Sequence, residues 1–334
     1  MPRAPSFVLA FVVLALTSLG CSTPSECPRC ATPTLDTPDA APSEAPREPE
    51  PPAPTQAEPE AITVTADDGH PLRLWRLEPE GPAKGAIVLL HGRTWSGLPD
   101  FDLRVGEDRS LSLMQRLREQ GYVSYALDLR GYGGTQRDAS GWLEPDRAAE
   151  DLAAALAQVR EREGKAPDLL GWSYGALISQ LCVQAHPDAA RTLTLYGYPR
   201  DPDARTPTQS SKGDAPRKPN SEAAAASDFI TPGTISDEAV AAYVKVSLAA
   251  DPFKADWRAT QQFNALDPEK IAIPTLVLHG VDDPIDRLWQ AKLFTRLAQA
   301  DKQWVVIPKA DHAAHLEQPD RFVAALLGFV ALER

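Results

Sequence analysis

Apolar and polar positions alternate along residues 61–77, and this period of two is typical of half-buried strands. The segment AITVTADDGHPLRLWRL carries the turn sequence DDG near its centre, so it predicts a β-hairpin. The next segment, GAIVLLHG at 85–92, is a continuous apolar run, as expected of a strand that is buried on both faces.

Strand patterns and helix patterns alternate through the rest of the chain. The predicted strands are YVSYALD (122–128), DLLGW (168–172), ARTLTLY (190–196), IAIPTLVLHG (271–280) and KQWVVIP (302–308). The predicted helices include LSLMQRLREQG (111–121), EPDRAAEDLAAALAQVREREG (144–164) and YGALISQLCVQAH (174–186). This alternation predicts an α/β fold with a doubly wound, largely parallel sheet.

Residues 199–265 interrupt the alternation between two predicted strands. The insertion is rich in Pro, Asp, Ser and Ala, and it contains one helical pattern, SDEAVAAYVKVSLAA at 236–250. It is too long for a simple crossover connection, so we expect a small cap or lid there.

The N-terminal segment does not fit the domain pattern. Residues 1–20 contain Arg3 and then an apolar run that ends in small residues, which is the layout of a secretory signal peptide. The stretch SLGC resembles a bacterial lipobox, so Cys21 is expected to carry lipid; the alternative is a plain signal peptide with Cys21 as a bystander. Residues 21–60 are rich in proline and predict an extended tether. The folded domain is therefore expected at 61–334. The protein is expected to be exported and anchored to a membrane, with the domain facing the periplasm or the cell exterior.

Composition narrows the classes of partner. The chain has 334 residues, of which 43% are hydrophobic, which is enough for one large domain. The net charge of −12 argues against a nucleic-acid partner, because binding phosphates needs an excess of Lys and Arg. The sequence has no apolar run as long as the roughly 18 residues of a transmembrane helix. The pair Cys27 and Cys30 is expected to form at most a local disulfide. Cys182 is expected to be a buried thiol.

Ser173 lies in the motif G-x-S-x-G, between the predicted strand DLLGW and the predicted helix that follows. That context is the one in which the motif forms a tight turn with an exposed nucleophilic serine. A serine hydroxyl needs a base, and the base needs an orienting acid. Asp283 and His312 each follow a later predicted strand, and the ends of parallel strands share one edge where ligands bind.

The stretches HGRTW, DLRGYGGT, GWSYG, HGVDDP and DHAAHLEQP together resemble the α/β-hydrolase superfamily over residues 61–334. The resemblance implies a sheet of about eight strands with a cap between strands 6 and 7. It also implies Ser173 as nucleophile, His312 as base and Asp283 as acid, with Asp282 as an alternative acid. The family more often has glycine before the histidine, where this chain has Asp311.

The same resemblance assigns the oxyanion hole to the backbone N–H groups of Tyr174 and Arg93, with Thr94 as the alternative to Arg93. Trp95, Trp172 and Tyr198 are candidates to line the pocket, although each could instead belong to the core. His91, His279 and Arg130 are expected to be structural. No cofactor or metal is expected, since His312 and His315 lack the further ligands that a metal site needs.

The expected activity is hydrolysis of a small-molecule ester through an acyl-enzyme. The same three residues could serve a C–C bond hydrolase or a cofactor-free perhydrolase, and pocket shape would separate these reactions. A third alternative is a non-catalytic domain that binds a ligand at the cell surface, because a fold does not guarantee a function.

Overall fold

The computed structural model describes residues 57–208 and 213–332. The predicted signal peptide, lipidated Cys21, the Cys27–Cys30 pair and the tether up to residue 56 lie outside these residues. The described chain begins four residues before the predicted domain boundary at 61. The Ala57 carbonyl accepts a hydrogen bond from Arg109, and Glu58 pairs with Arg104 at 2.6 Å, so contacts with the domain begin before that boundary.

The strands follow the predicted order. They are β1 Glu60–Thr65, β2 Pro71–Leu77, β3 Gly85–Leu90, β4 Tyr122–Asp128, β5 Trp142–Leu143, β6 Asp168–Trp172, β7 Leu193–Tyr196, β8 Asp256–Trp257, β9 Thr275–Gly280 and β10 Lys302–Ile307.

The helices lie between and after these strands. They are α1 Gly97–Phe101, α2 Leu113–Glu119, α3 Pro145–Glu163, α4 Tyr174–Ala185, α5 Glu222–Ala226, α6 Asp237–Ala250, α7 Arg287–Arg296, α8 Ala314–Glu317 and α9 Pro319–Val330, with short 3-10 turns at Thr260–Ala265 and Pro268–Lys270.

Within the described ranges, eight strands form the main sheet in the order β1-β2-β4-β3-β6-β7-β9-β10. β1 and β2 form the predicted antiparallel hairpin, and β2 is also antiparallel to β4. The six strands from β4 to β10 in this order are parallel. The chain leaves β3 towards β4 and returns to β6 on the other side, which makes the ends of β3 and β6 the switch point of the sheet.

Helices cover both faces of the sheet, as the fully buried β3 requires. Val88 and Leu90 of β3 belong to one apolar cluster, which includes residues of α3, α4 and α7. Ile87 and Leu89 point to the other cluster, which includes residues of α2, α6 and α9. Alternate residues of one strand thus fill two cores, which explains why the strand reads as an unbroken apolar run.

Residues between β7 and β9 form the expected insertion between the sixth and seventh strands of the main sheet. Its described part contains α5 and α6, and Ser236 caps α6 by accepting a hydrogen bond from the Ala239 amide. β8 of the insertion pairs with β5, a small sheet that the sequence pattern did not predict. Among the described residues no helix is long and apolar enough to span a membrane.

Candidate active site

Ser173 occupies the turn between β6 and α4, with φ 55° and ψ −117°. A non-glycine residue seldom adopts a positive φ, and such strain is found mainly where the surrounding structure fixes it. The Ser173 amide donates to the carbonyl of Tyr196, at the end of β7, at 2.8 Å. The turn is therefore pinned to the carboxyl edge of the sheet.

Gly171 and Gly175 make this turn possible. A Cβ on Gly171 would lie 2.4 Å from the Gly175 carbonyl oxygen and from Ser179 Oγ, and a Cβ on Gly175 would lie 2.5 Å from the carbonyl oxygens of Leu90 and His91. These distances leave no room for a side chain. The glycine spacing in the motif thus reflects the packing of α4 against β3.

Asp283 and His312 meet at the same edge, after β9 and β10. His312 Nδ1 lies 3.0 Å from Asp283 Oδ2 and 3.2 Å from Oδ1, and Oδ1 also accepts from the Ile285 amide at 2.9 Å. The Asp283 side chain is 1% exposed and that of His312 is 16% exposed. Asp282 is exposed to solvent, so of the two adjacent acids the structure brings Asp283 to the histidine.

The environment of His312 acts on its pKa in two directions. Burial lowers the pKa, but the hydrogen bond and charge of Asp283 outweigh it, with further help from Asp228 and Asp311, and the pKa is raised above its ordinary value. The His312 carbonyl accepts from Trp172 Nε1 at 2.9 Å and from the Tyr196 hydroxyl at 2.8 Å. Two aromatic side chains therefore fix the backbone that carries this imidazole.

Ser173 and His312 line one small cavity of about 70 Å³. Its remaining lining residues are Gly92, Arg93, Thr94, Trp95, Asp100, Trp172 and Asp228. Trp95 and Trp172 line this cavity, and both also belong to a buried core cluster. Tyr198 does not line it: it is fully buried, its hydroxyl donates to Gln180 at 2.7 Å, and it belongs to the core cluster under α4. Of the two places that the sequence left open for Tyr198, the structure shows the core, because an aromatic residue after a strand can equally face the helix layer.

The residues expected to supply the oxyanion hole are Tyr174, which directly follows Ser173, and Arg93, which lines the cavity. Tyr174 is the first residue of α4, so its N–H has no carbonyl partner within the helix. Arg93 lines the cavity, its carbonyl accepts from the Tyr132 hydroxyl, and its guanidinium lies 5.2 Å from the centre of the Tyr174 ring. Thr94 lines the same cavity and stays the alternative to Arg93.

The structure shows a buried polar cluster next to the cavity that the sequence did not predict. Tyr243 of α6 donates to Asp100 Oδ1 at 2.9 Å and lies 3.2 Å from Asp228 Oδ2, which also accepts from Trp95 Nε1 at 2.8 Å. One hydroxyl proton can serve only one carboxylate at a time. Burial and the charge of Asp228 raise the pKa of Asp100 well above its usual range. When Asp100 is protonated it can donate to the Tyr243 oxygen, which leaves the Tyr243 proton for Asp228.

His91, His315 and Arg130 have structural partners, and His279 is buried with its Nδ1 2.8 Å from the Gly280 carbonyl oxygen. His91 Nε2 accepts from the Leu129 amide at 3.1 Å, and burial lowers the pKa of His91 to about 4. His315 contacts the Tyr196 hydroxyl and the Asp100 carbonyl, and burial lowers its pKa to about 4. Arg130 binds Asp151 and Asp68, which braces the loop after β4.

Within residues 57–208 and 213–332, no group of three or more His, Cys, Asp or Glu side chains is arranged to hold a metal ion. Cys182 is buried and free, as the sequence predicts, and burial raises the pKa of its thiol.

Comparison with known proteins identifies the family of the chain. Residues 87–325 match the model of the alpha/beta hydrolase family. A stretch of 69 residues is 39% identical to the 2-hydroxy-6-oxo-6-(2'-aminophenyl)hexa-2,4-dienoic acid hydrolase of Metapseudomonas resinovorans, covering 20% of this chain but only 23% of that enzyme.

Solved structures resemble this chain over most of its length. An esterase from Rhodococcus sp. ECU1013 has a TM-score of 0.58 and 21% identity, over 81% of this chain and 98% of that one. An esterase from Exiguobacterium antarcticum has a TM-score of 0.57 and 18% identity, over 82% and 100%. A meta-cleavage product hydrolase from Pseudomonas fluorescens IP01, in a mutant form, has a TM-score of 0.58 and 16% identity, over 81% and 97%. At these identities the likeness is one of fold.

Proposed function

Since the chain belongs to the alpha/beta hydrolase family, we propose that it is a serine hydrolase that cleaves small carboxylic esters. One observation carries this proposal: the strained Ser173 lines the same cavity as His312, whose Nδ1 lies 3.0 Å from the buried Asp283. A base oriented by a carboxylate beside a serine is the arrangement that activates a hydroxyl.

In the proposed reaction, Ser173 Oγ attacks the ester carbonyl carbon and its proton passes to His312 Nε2. Asp283 holds Nδ1–H and stabilises the imidazolium that forms. The C–O bond then breaks, and His312 returns the proton to the departing alcohol. Water attacks the acyl-enzyme with His312 again as base, which releases the acid and restores the Ser173 hydroxyl.

The negative charge on the tetrahedral intermediate would fall at the start of α4. The Tyr174 and Arg93 amides are the proposed donors, and the positive end of the helix dipole lies at the same place. In enzymes of this type one such donor contributes about 2.7–4 kcal/mol to transition-state stabilisation.

The size of the cavity supports small substrates. About 70 Å³ is well below the roughly 300–1,000 Å³ of drug-sized ligand sites. Esterases among the structures of similar fold also favour ester hydrolysis as the first activity to assay.

The test is covalent labelling with a fluorophosphonate probe, followed by assays with p-nitrophenyl esters of increasing acyl length. We expect labelling and hydrolysis in the wild-type protein, and neither in Ser173→Ala. Ser110→Ala, which removes an exposed serine, is the matched control and should label normally. An unlabelled wild-type protein would instead favour a non-catalytic binding domain.

A C–C bond hydrolase is the second candidate, and the 69-residue match to a dienoic acid hydrolase is the observation that favours it. Arg93 lines the cavity and could receive a substrate carboxylate. Loss of the absorbance of a 2-hydroxy-6-oxo-dienoate, at a rate above that of the p-nitrophenyl esters, would place this activity first.

We also propose that the protein is exported and anchored through lipid on Cys21. The apolar run, the SLGC stretch and the proline-rich residues up to 60 support this location. Each buried lipid CH₂ contributes about 0.8 kcal/mol, so several acyl chains would hold the protein firmly on a membrane. Metabolic labelling with a fatty-acid analogue should disappear in Cys21→Ala; a variant that still takes up the label would refute this site.

A further inference from the structure

Residues 228–234, between α5 and α6, form a segment that we name the latch segment. Its first residue, Asp228, is one of the residues that line the Ser173 cavity. Asp228 is fixed there by Trp95, which donates to Oδ2 at 2.8 Å across 133 residues of sequence. The position of the latch segment therefore sets one boundary of the cavity.

The next residues of the latch segment are bound by Asp311. The amides of Ile230 and Thr231 donate to Asp311 Oδ2 at 2.8 and 2.7 Å, while Oδ1 accepts from the Ala313 amide at 3.2 Å. Asp311 is fully buried and directly precedes His312. One carboxylate thus joins the insertion to the loop that carries the proposed base.

Glu317 forms a second connection between the same two parts. Its Oε1 accepts a hydrogen bond from the Thr234 hydroxyl, and its Oε2 accepts from the Asp311 amide at 2.6 Å. Buried carboxylates are costly unless hydrogen-bond donors surround them, and such charge-assisted bonds are stronger than neutral ones. The segment is therefore held at both ends of its 230–234 stretch by groups next to the active site.

We propose that Asp311 is a positioning residue which, with Glu317 and Thr234, holds the latch segment closed over the Ser173 cavity and so limits the size of the ester that enters. This inference rests on the proposed esterase function. The cavity of about 70 Å³ is much smaller than the roughly 300–1,000 Å³ of drug-sized ligand sites. Release of Asp228 would remove one wall and admit larger groups. The proposed role also explains why an aspartate, Asp311, stands directly before His312.

The test compares Asp311→Ala, Asp311→Asn and Thr234→Val with the wild-type protein in two measurements; Thr234→Val removes the contact to Glu317 together with the contact of the same hydroxyl to the Thr231 carbonyl at 2.8 Å. Hydrogen exchange of the peptide that covers 228–236 reports whether the segment is held. The ratio of kcat/KM for acetate over octanoate esters, and for small over large alcohol groups, reports the size limit in both directions from the carbonyl.

In Asp311→Ala we expect faster exchange and a size preference reduced by about tenfold in one of the two series. Asp311→Asn keeps an acceptor oxygen for the Ile230 and Thr231 amides, so it should stay within about threefold of the wild type. Thr234→Val should give a smaller change in the same direction. Glu238→Ala, which removes an exposed carboxylate from α6 of the same insertion, is the control and should change neither measurement.

Unchanged exchange and unchanged size preference in Asp311→Ala would overturn the proposal. So would an Asn variant that matches Ala in both measurements, because the hydrogen bonds from the Ile230 and Thr231 amides would then not be what holds the segment. If Asp311→Ala does not fold, Thr234→Val decides between the same outcomes. Hydrogen exchange needs no substrate, so a wild-type protein without esterase activity would refute the proposed function and leave the exchange test of the latch segment intact.

Discussion

His312 is the side chain whose protonation state matters most to the proposed reaction. Burial alone would keep it neutral, whereas Asp283, Asp228 and Asp311 favour the charged form, and the net effect is a pKa above 6.5. A general base must be neutral to accept a proton. The raised pKa therefore sets the pH below which activity is lost.

We predict that kcat/KM falls as the pH is lowered through the pKa of His312, with a midpoint above 6.5. Asp283→Asn removes the strongest of the interactions that raise this pKa, so the midpoint should move to lower pH. The rate should also fall by about 10⁴, since the imidazole loses its orienting partner. Initial rates with p-nitrophenyl acetate across pH 5–9 give both values. A midpoint that stays in place in Asp283→Asn would contradict this role of Asp283.

Gly197, directly after β7, offers a test of how tightly His312 is positioned. It has φ +56°, and a Cβ there would lie 2.9 Å from His312 Cε1 and 3.1 Å from Nδ1. We predict that Gly197→Ala lowers kcat by at least about tenfold, because a displacement near 1 Å costs up to about 10² in rate. Gly106 has a similar φ of +60° but open space around it.

Gly106→Ala therefore carries the same backbone strain, of about 1–2 kcal/mol, without the steric contact. It should lower the free energy of unfolding and leave kcat unchanged. Equal kcat values in the two variants would show that His312 tolerates the added methyl group.

The sequence predicted the residues that stand in local motifs. Ser173, Asp283 and His312 each follow a strand, and parallel strands bring such positions together whatever lies between them. Asp100, Asp228 and Tyr243 carry no comparable signal. The contact from Tyr243 to Asp100 spans 143 residues, and it depends on how the insertion packs rather than on any spacing in the chain. The sequence could not decide between pocket and core for Tyr198 for a related reason: the position of an aromatic residue after a strand does not reveal which layer its side chain enters.

Among the elements, α6 is the one that joins the insertion to the active-site loops. Tyr243 near its middle contacts Asp100, and Asp251 at its C-terminal cap accepts from the Ser96 amide and the Gly133 amide, both at 2.8 Å. Ser96 follows the loop that carries the proposed oxyanion donor Arg93. The helix pattern was predicted from the sequence, but these connections require the three-dimensional arrangement.

We predict that Asp251→Ala destabilises the protein by about 1–3 kcal/mol, because the buried Ser96 amide and the partly buried Gly133 amide lose their acceptor. It should also lower kcat, since the loop from Gly92 to Ser96 loses an anchor. Chemical denaturation and ester hydrolysis measure the two effects. Asp237→Ala, in the exposed first turn of the same helix, should cost at most about 1 kcal/mol and leave kcat unchanged. Similar losses in both variants would mean that Asp251 acts only through the helix.

The whole domain has its proposed site at the centre of the sheet and its hairpin at one edge. β1 pairs with β2. The two strands β2 and β4 lie between β1 and β3, which leads into the Gly92 loop. Val64 of β1 is 1% exposed, so this edge strand contributes to the core although it lies far from Ser173. Stability and the chemistry of the site should therefore respond differently to shortening of the N-terminus.

We predict that chains 57–334 and 61–334 differ by no more than about 1 kcal/mol in free energy of unfolding, since the ion pairs of Glu58 are exposed and screened. A chain 66–334 lacks β1 and the buried Val64, and it should lose at least about 1.5–3 kcal/mol. Urea denaturation of the three chains gives these differences. The folded fraction of each should still react with the fluorophosphonate probe at the wild-type rate, because Ser173, Asp283 and His312 follow β6, β9 and β10, away from the hairpin. A slower rate in the folded 66–334 chain would mean that the edge hairpin supports the site as well as the core.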